Sequence, residues 1–190
     1  IGGGMGRLPV HGVAWYRKKI NLSAADQNKK IYLDIDGAMS YTMVWCNGKL
    51  VGGWPYGYNS FRLDLTPYLH YGAANQLAIR IDNPTNSARW YPGAGLYRNV
   101  WITKTNPVHV AQWGSFVQTN HVSAASATID LRTDVQNETG STQNVRVSST
   151  LFTWDAKKNK RIQQVAVFSN ASLLLPPGSR SSISQNTTLK

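Results

Sequence analysis

Apolar residues recur at every second position along most of this chain, and almost no window repeats them at the three- and four-residue spacing of a helix. A period of two puts successive side chains on opposite faces of an extended backbone, so each such run reads as a half-buried strand. In "KIYLDID", Ile31, Leu33 and Ile35 share one face, and Tyr32, Asp34 and Asp36 share the other. "FRLDL" aligns Phe61, Leu63 and Leu65, and "QLAIRID" aligns Leu77, Ile79 and Ile81. In "YTMVWCNGKLVGG" two such runs flank Asn47-Gly48. That pair favours a type I′ hairpin turn, whose two central residues both need positive φ. A single helical turn is expected at "TPYLHYG", with Thr66 as N-cap and Pro67 in the first helical position. The aspartates mostly alternate with apolar residues, which makes them outward-facing strand residues. The expected class is all-β.

Composition breaks near Asn106-Pro107. All nine tyrosines and five of the seven tryptophans precede it; Trp113 and Trp154 follow in a Ser/Thr/Val-rich remainder. Two domains are expected, residues 1–105 and 106–190. The first holds seven or eight strand-like runs with long aromatic-rich connections, which suits a jelly roll. In the second, "GSFVQTN", "SATIDLRTDVQN", "NVRVSSTLFTW", "QQVAVFS" and "SSISQNTTL" follow one another with turn signals between, as in an immunoglobulin-like β-sandwich. "LLLPPGSRS" reads as a proline-stiffened corner before the last strand. That sandwich is expected to be incomplete at its C-terminus, and "IGGGMGRLPV" reads as a flexible lead-in from a longer chain.

Several function classes are disfavoured. The net charge is +11, yet the basic groups "KK" (29–30) and "KKNKR" (157–161) fall at expected turns, so no nucleic-acid partner is expected. No apolar run approaches the roughly 20 residues needed to cross a bilayer as a helix, so no membrane span is expected. Cys46 is the one cysteine and allows no internal disulfide or thiolate cluster. His11, His70, His109 and His121 lack metal-ligand spacing; a site from His109 and His121 would need the fold to bring them together. There is no Gly-x-Ser-x-Gly elbow. "GAGLYR" has Arg98 where a dinucleotide loop has its last glycine, and it precedes a strand rather than a helix. No catalytic residue, metal or cofactor is expected.

Two loops concentrate groups suited to sugar. Aromatic faces stack on the apolar C–H faces of pyranose rings, and planar polar groups fork hydrogen bonds to paired hydroxyls. "GGWPYGYNS" offers Trp54, Tyr56, Tyr58 and Asn59; "DNPTNSARWYPG" offers Asp82, Asn83, Asn86, Arg89, Trp90 and Tyr91. Any one aromatic fits a core or an interface as readily as a ligand platform. Two such loops on a rigid scaffold favour an interface role.

The ordered string "GVAWYRKKINL", "IYLDIDGAMSYTMVWCNGKLVGGWPYGYNSFRLDLTPYL", "NQLAIRIDNP" and "SARWYPGAGLYRNVWI" resembles the N-terminal half of glycoside hydrolase family 2 enzymes of the β-galactosidase type. From Val108 onward the likeness is by position and architecture. The resemblance implies a jelly-roll (galactose-binding-like) sandwich followed by an immunoglobulin-like β-sandwich, then a C-terminal (β/α)8 barrel that this chain lacks. It implies an exo-acting retaining hydrolase whose carbohydrate is a β-galactoside or other β-glycoside, and a periplasmic or secreted location. Retaining enzymes use two carboxyl groups about 5 Å apart as acid/base and nucleophile. In this family both are glutamates, and the chain has only Glu138. The chain is therefore expected to be a non-catalytic part of the enzyme. By the resemblance, Arg89, Trp90 and Tyr91 face the barrel, joined at the substrate rim by Asp82, Asn83, Trp54 and Tyr56. Family members carry an acidic residue just before the matching Trp; here Ala88 and Arg89 stand there, which leaves the sugar open. The other reading is a stand-alone carbohydrate-binding module.

Overall fold

The computed structural model describes residues 11–85 and 94–190. Asn86, Arg89, Trp90 and Tyr91 lie outside the described residues. The chain divides into two compact units, Ile1–Asn106 and Pro107–Lys190.

The first unit is built from β1 (Gly12–Asn21), β2 (Lys30–Ile35), β3 (Ala38–Met39), β4 (Thr42–Cys46), β5 (Lys49–Trp54), β6 (Phe61–Asp64), β7 (Ala74–Asn83), β8 (Gly95–Leu96) and β9 (Val100–Thr105). One sheet has the order β1-β7-β4-β5 and the other β6-β2-β9, with a short β3-β8 ladder at one end. Every pairing is antiparallel. The two-residue period decides what lies between the sheets. Ile31, Leu33 and Ile35 from β2 are fully buried and meet Leu77, Ile79 and Ile81 from β7, with Val44, Cys46, Phe61 and Leu65. Cys46 is a core residue: burial pushes its thiol pKa up, and its S–H donates to the Tyr68 carbonyl at 3.8 Å.

The other face of β2 is not open to solvent, as alternation alone would have it. Arg62 lies 4.6 Å over the Tyr32 ring and forks onto Asp34 at 2.6 and 2.8 Å, and the Thr103 hydroxyl donates to the same carboxylate at 2.5 Å. Burial pushes the Asp34 carboxyl up, but the Arg62 and Thr103 hydrogen bonds outweigh it, and the net pKa is below the usual value.

Asn47 (φ 50) and Gly48 (φ 79) make the β4-β5 turn in the left-handed conformations that a type I′ turn requires. The Asn47 amide also donates to Tyr68 O at 2.9 Å and to Asn75 Oδ1 at 2.8 Å, which ties the turn to buried Asn75. The helical turn near it is a 3₁₀ turn over Thr66–Tyr68 whose N-cap is Leu65, not Thr66. The Thr66 hydroxyl is committed elsewhere: it accepts the Ile31 N–H at 3.0 Å, while Asp64 accepts the Thr66 N–H at 2.8 Å. A second 3₁₀ turn, Ala24–Asp26, carries a Ser23–Asp26 capping box and is too short to leave any periodicity in the sequence. These turns share one end of the sandwich with the end of β9. The β2-β3, β3-β4, β5-β6 and β8-β9 connections share the other, where β7 also ends.

The second unit contains β10 (Val108–Asn120), β11 (Ala127–Asn137), β12 (Gln143–Val147), β13 (Thr150–Asp155), β14 (Lys160–Val167), β15 (Ala171–Leu175) and β16 (Arg180–Leu189). Its first layer is the sheet β10-β11-β16. Its second is one long bent hairpin: β12 pairs β15 and β13 pairs β14, with Asp155 opposite Lys160 at the tip. The stretch "NVRVSSTLFTW", a single strand by alternation, breaks at Ser148-Ser149. There Ser149 Oγ donates to Gln185 Oε1 at 2.8 Å, while Gln185 Nε2 donates to Ser169 O at 2.6 Å. Asn137 pins the hairpin's base, donating to Leu175 O at 2.9 Å and Pro176 O at 3.0 Å. The architecture is the immunoglobulin-like one of two facing antiparallel layers.

Candidate functional site

The loop end of the first unit is where polar and aromatic groups converge. β2 delivers Asp36 there, and its backbone carbonyl collects the Ser60 hydroxyl at 3.0 Å and an Arg98 guanidinium N–H at 3.3 Å. Its carboxylate accepts the Trp101 indole N–H at 2.9 Å, and its own N–H donates to Asn99 O at 2.9 Å. One aspartate thus ties the β5-β6 and β8-β9 connections to the end of β2. Tyr97 adds a second tie by donating to Gly57 O at 2.7 Å. That ring needs a glycine beneath it: a Cβ on Gly37 would sit 2.6 Å from Tyr97 Cζ.

The β3-β4 turn joins the remaining strand ends. Tyr41 N–H donates to Pro55 O at 3.0 Å, and Ser40 exchanges backbone hydrogen bonds with Asp82 at 3.2 and 2.9 Å. With the loops so fixed, Tyr41, Trp54, Tyr56, Tyr58, Tyr97 and Trp101 all remain exposed. Trp54 stacks on buried Phe61 (6.4 Å, 23°), which orients its outer face, and Tyr56 meets Tyr58 edge-on at 5.5 Å. Six exposed aromatics on tethered loops and strand ends offer pre-set faces for apolar rings, with the Arg98 guanidinium at the same end as a planar donor.

The residues singled out in the sequence divide four ways. Trp54 and Tyr56 are presented together on this surface, with Tyr58. Asp82 lies at the same end but is ion-paired to Arg80 at 2.9 Å. Asn83 is buried at the end of β7 opposite Gly12, beside a cleft of ≈ 230 Å³ that it lines with His11, Tyr16 and Gly95. It supports the end of the strand rather than facing outward. Arg89, Trp90 and Tyr91 fall in the stretch that is not described, between β7 and β8. Tyr41, Tyr97, Arg98 and Trp101 were not singled out. They sit in short elements or strand ends, where alternation does not separate presentation from packing.

His109 and His121 flank the two ends of β10 and do not converge. Among the described residues no group of three His, Cys, Asp or Glu is placed to hold a metal. Glu138 lies 4.0 Å from His109 in the second unit. A second cleft in the first unit, ≈ 390 Å³ between the β1 and β9 edges, is lined mainly by apolar side chains such as Ile20, Leu33, Leu96 and Ile102 and offers sugar hydroxyls few partners. No helix among the described residues is long and apolar enough to cross a membrane.

Comparison with known proteins gives this surface a context. Residues 11–166 match the family described as glycosyl hydrolase 2 galactose-binding domain-like. Over 151 residues the chain is 45% identical to the β-galactosidase BoGH2A of Bacteroides ovatus, a stretch covering 79% of this chain and 18% of that protein. A solved glycosyl hydrolase family 2 member from Bacteroides cellulosilyticus superposes with a TM-score of 0.84 at 30% identity, covering 95% of this chain and 24% of that one. A solved family 2 β-glucuronidase gives 0.85 at 25% identity, covering 97% and 21%. The chain thus spans about a fifth of the length of these relatives.

Proposed function

The chain belongs to the glycosyl hydrolase 2 galactose-binding-like domains, and from that membership we propose that it is the non-catalytic N-terminal part of a retaining exo-glycosidase acting on β-galactosides. The observation that carries this reading is the tethered aromatic surface at the loop end of the first unit, in a chain with a single glutamate. The surface can stack against a sugar and exclude water from one side of it. It has no pair of glutamates to protonate a leaving oxygen and attack an anomeric carbon. Both steps then fall to a (β/α)8 barrel supplied by the rest of the polypeptide, and this end forms the rim of the pocket. Arg89, Trp90 and Tyr91 lie outside the described residues, and the family resemblance alone assigns them to the same rim. The 45% identity to a β-galactosidase supports the choice of sugar.

Calorimetric titration of the 190-residue chain with methyl β-D-galactoside tests the rim reading. Half a pocket gives no measurable heat of binding. Millimolar or tighter binding would make the chain a carbohydrate-binding module in its own right. In the polypeptide of the complete reading frame, Trp54→Ala raises KM with little change in kcat, because a rim contact binds ground state and transition state alike.

A further inference from the structure

The outer face of the four-stranded sheet in the first unit is more apolar than a solvent-facing sheet needs to be. Residues paired across strands share a face. On the face opposite buried Ile79, Ile81 and Val44, the pairing sets Trp15 and Arg17 of β1 beside Arg80 and Ala78 of β7, and these beside Met43 and Trp45 of β4. Leu50 of β5 pairs with Trp45 and extends the row. β7 lies between β1 and β4, and its small Ala78 leaves room above it. The Trp15 and Trp45 rings meet across β7 at 5.2 Å and 38°. Trp15 is 46% exposed and Leu50 50%, and Met43 is exposed too. An aromatic patch on hydrogen-bonded strands is set before any ligand arrives, and exposed patches of this kind mark binding surfaces.

The polar groups on this face narrow the choice of partner. Arg17 lies 5.4 Å over the Trp15 ring, and Lys19 follows it on the same face. Among the described residues neither cation is ion-paired, and neither the Trp15 nor the Trp45 indole N–H has a hydrogen-bond partner. Asp82 is the one carboxylate on the paired positions of the face, and Arg80 already engages it at 2.9 Å. The two tryptophans thus sit in a surplus of positive charge. A second copy of this chain would set those cations against one another. A neutral apolar surface would strip them of water without compensation. A sugar polymer carrying carboxylates or sulfate esters meets both demands: its C–H faces stack on the indoles, and its anions engage the guanidinium and the ammonium. Four strands about 4.8 Å apart span about 14 Å, which is wider than one pyranose ring and suits a chain of them.

We propose that the outer face of the β1-β7-β4-β5 sheet is a surface site for an acidic polysaccharide. The Trp15–Trp45 pair stacks on its rings, and Arg17 and Lys19 engage its carboxylates or sulfate esters. The site is built on strands, whereas the rim is built on loops and strand ends. The inference rests on the reading of the chain as part of a glycosidase: the sheet face holds the body of a polymer whose terminal sugar is removed elsewhere in the polypeptide. Methyl β-D-galactoside has neither the charge nor the length for this face, so the calorimetric test of the rim stays independent of it.

Affinity electrophoresis through gels holding polygalacturonate, dextran sulfate or neutral galactan tests this, on the 190-residue chain and on the polypeptide of the complete reading frame. Both proteins are expected to be retarded by an acidic polymer and little by galactan, and the two acidic gels tell a carboxylate ligand from a sulfate ester. Trp15→Ala is expected to weaken binding about three- to tenfold, the worth of one aromatic contact. Arg17→Gln, which removes an exposed side chain from no ion pair, is expected to weaken it by a similar factor and keeps the test open if Trp15→Ala fails to fold. Lys158→Gln at the β13-β14 tip removes the same charge elsewhere and is expected to change nothing. An equal loss in Lys158→Gln, or equally tight binding of random double-stranded DNA, overturns the proposal, because charge alone would then hold the polymer. So does equal retardation by galactan, or no retardation by any gel. Binding by the chain that disappears in the longer polypeptide also overturns it, since another part of the enzyme would then cover the face. Galactoside hydrolysis by the longer polypeptide is scored separately. Polymer binding without hydrolysis would overturn the proposed function and leave the sheet-face site standing; hydrolysis without polymer binding would do the reverse.

Discussion

Both units are written in the same two-residue alternation, yet their apolar side chains end up in different places. Among the described residues of the first unit fourteen are buried and twelve large ones are exposed, among them the aromatics of the loop end. In the second unit five are buried (Ala111, Ile129, Val135, Phe168 and Leu175), while ten remain exposed, most of them on strands. A four-stranded sheet over a three-stranded one closes a core; a two-stranded hairpin over three strands does not. Exposed apolar surface therefore has a different meaning in each unit. In the first it is mostly aromatic, and Tyr41, Trp54, Tyr56, Tyr58, Tyr97 and Trp101 lie on the loops and strand ends of one end. In the second it is largely aliphatic and sits mostly on strands.

The sharpest way to break this comparison is to truncate one leucine in each unit. Leu33→Ala removes a fully buried side chain between the sheets and is expected to cost about 2–5 kcal/mol. Leu174→Ala removes one that is 72% exposed and is expected to stay within about 0.5 kcal/mol. Urea unfolding of both variants checks the contrast; similar losses would mean that the second unit has a closed core after all.

A smaller effect is expected from the two arginine–aspartate pairs. Arg62→Met leaves half-buried Asp34 without its fork and is expected to cost about 1–3 kcal/mol at pH 7. Arg180→Met removes a partner of Asp134 whose guanidinium is half exposed, and is expected to cost at most about 1 kcal/mol. The sign with pH follows from Asp34. Its folded pKa lies below the ordinary carboxylate value of about 3.9, so its contribution is complete above that pH and is lost as pH falls through the folded value. Denaturation at pH 7 and pH 3 should show a loss of stability on acidification that shrinks in Arg62→Met. An unchanged acid-linked loss would mean that the pair does not hold the charge.

The smallest effect is local to the rim. Gly37→Ala drives a methyl into the Tyr97 ring and should break its hydrogen bond to Gly57, at about 1 kcal/mol. In the complete polypeptide it should raise KM more than it lowers kcat. Unchanged kinetics would remove Tyr97 from the rim.

Most of this fold was legible because burial and alternation coincide, as at Ile31, Leu33 and Ile35. The Asn47-Gly48 turn was legible because its chemistry is local. What was hidden depends on distant partners. Thr66 has the chemistry of an N-cap, but Ile31 claims its hydroxyl, and no local pattern records that bond. Asp34 alternates like a surface residue and is enclosed by Arg62 and Thr103, 28 and 69 residues away. At the candidate site, Trp54 and Tyr56 stood out by composition, whereas Asn83 reads as a loop residue and proves to be the buried end of β7. Tyr97, Arg98 and Trp101 join the site only because Asp36 gathers their strand ends.

Turnover of p-nitrophenyl β-D-galactoside, measured on the 190-residue chain beside the polypeptide of the complete reading frame, tests the central claim most directly. The account predicts hydrolysis by the longer polypeptide and none above background by the chain, whose single glutamate cannot form the catalytic pair. Hydrolysis by the isolated chain would contradict it.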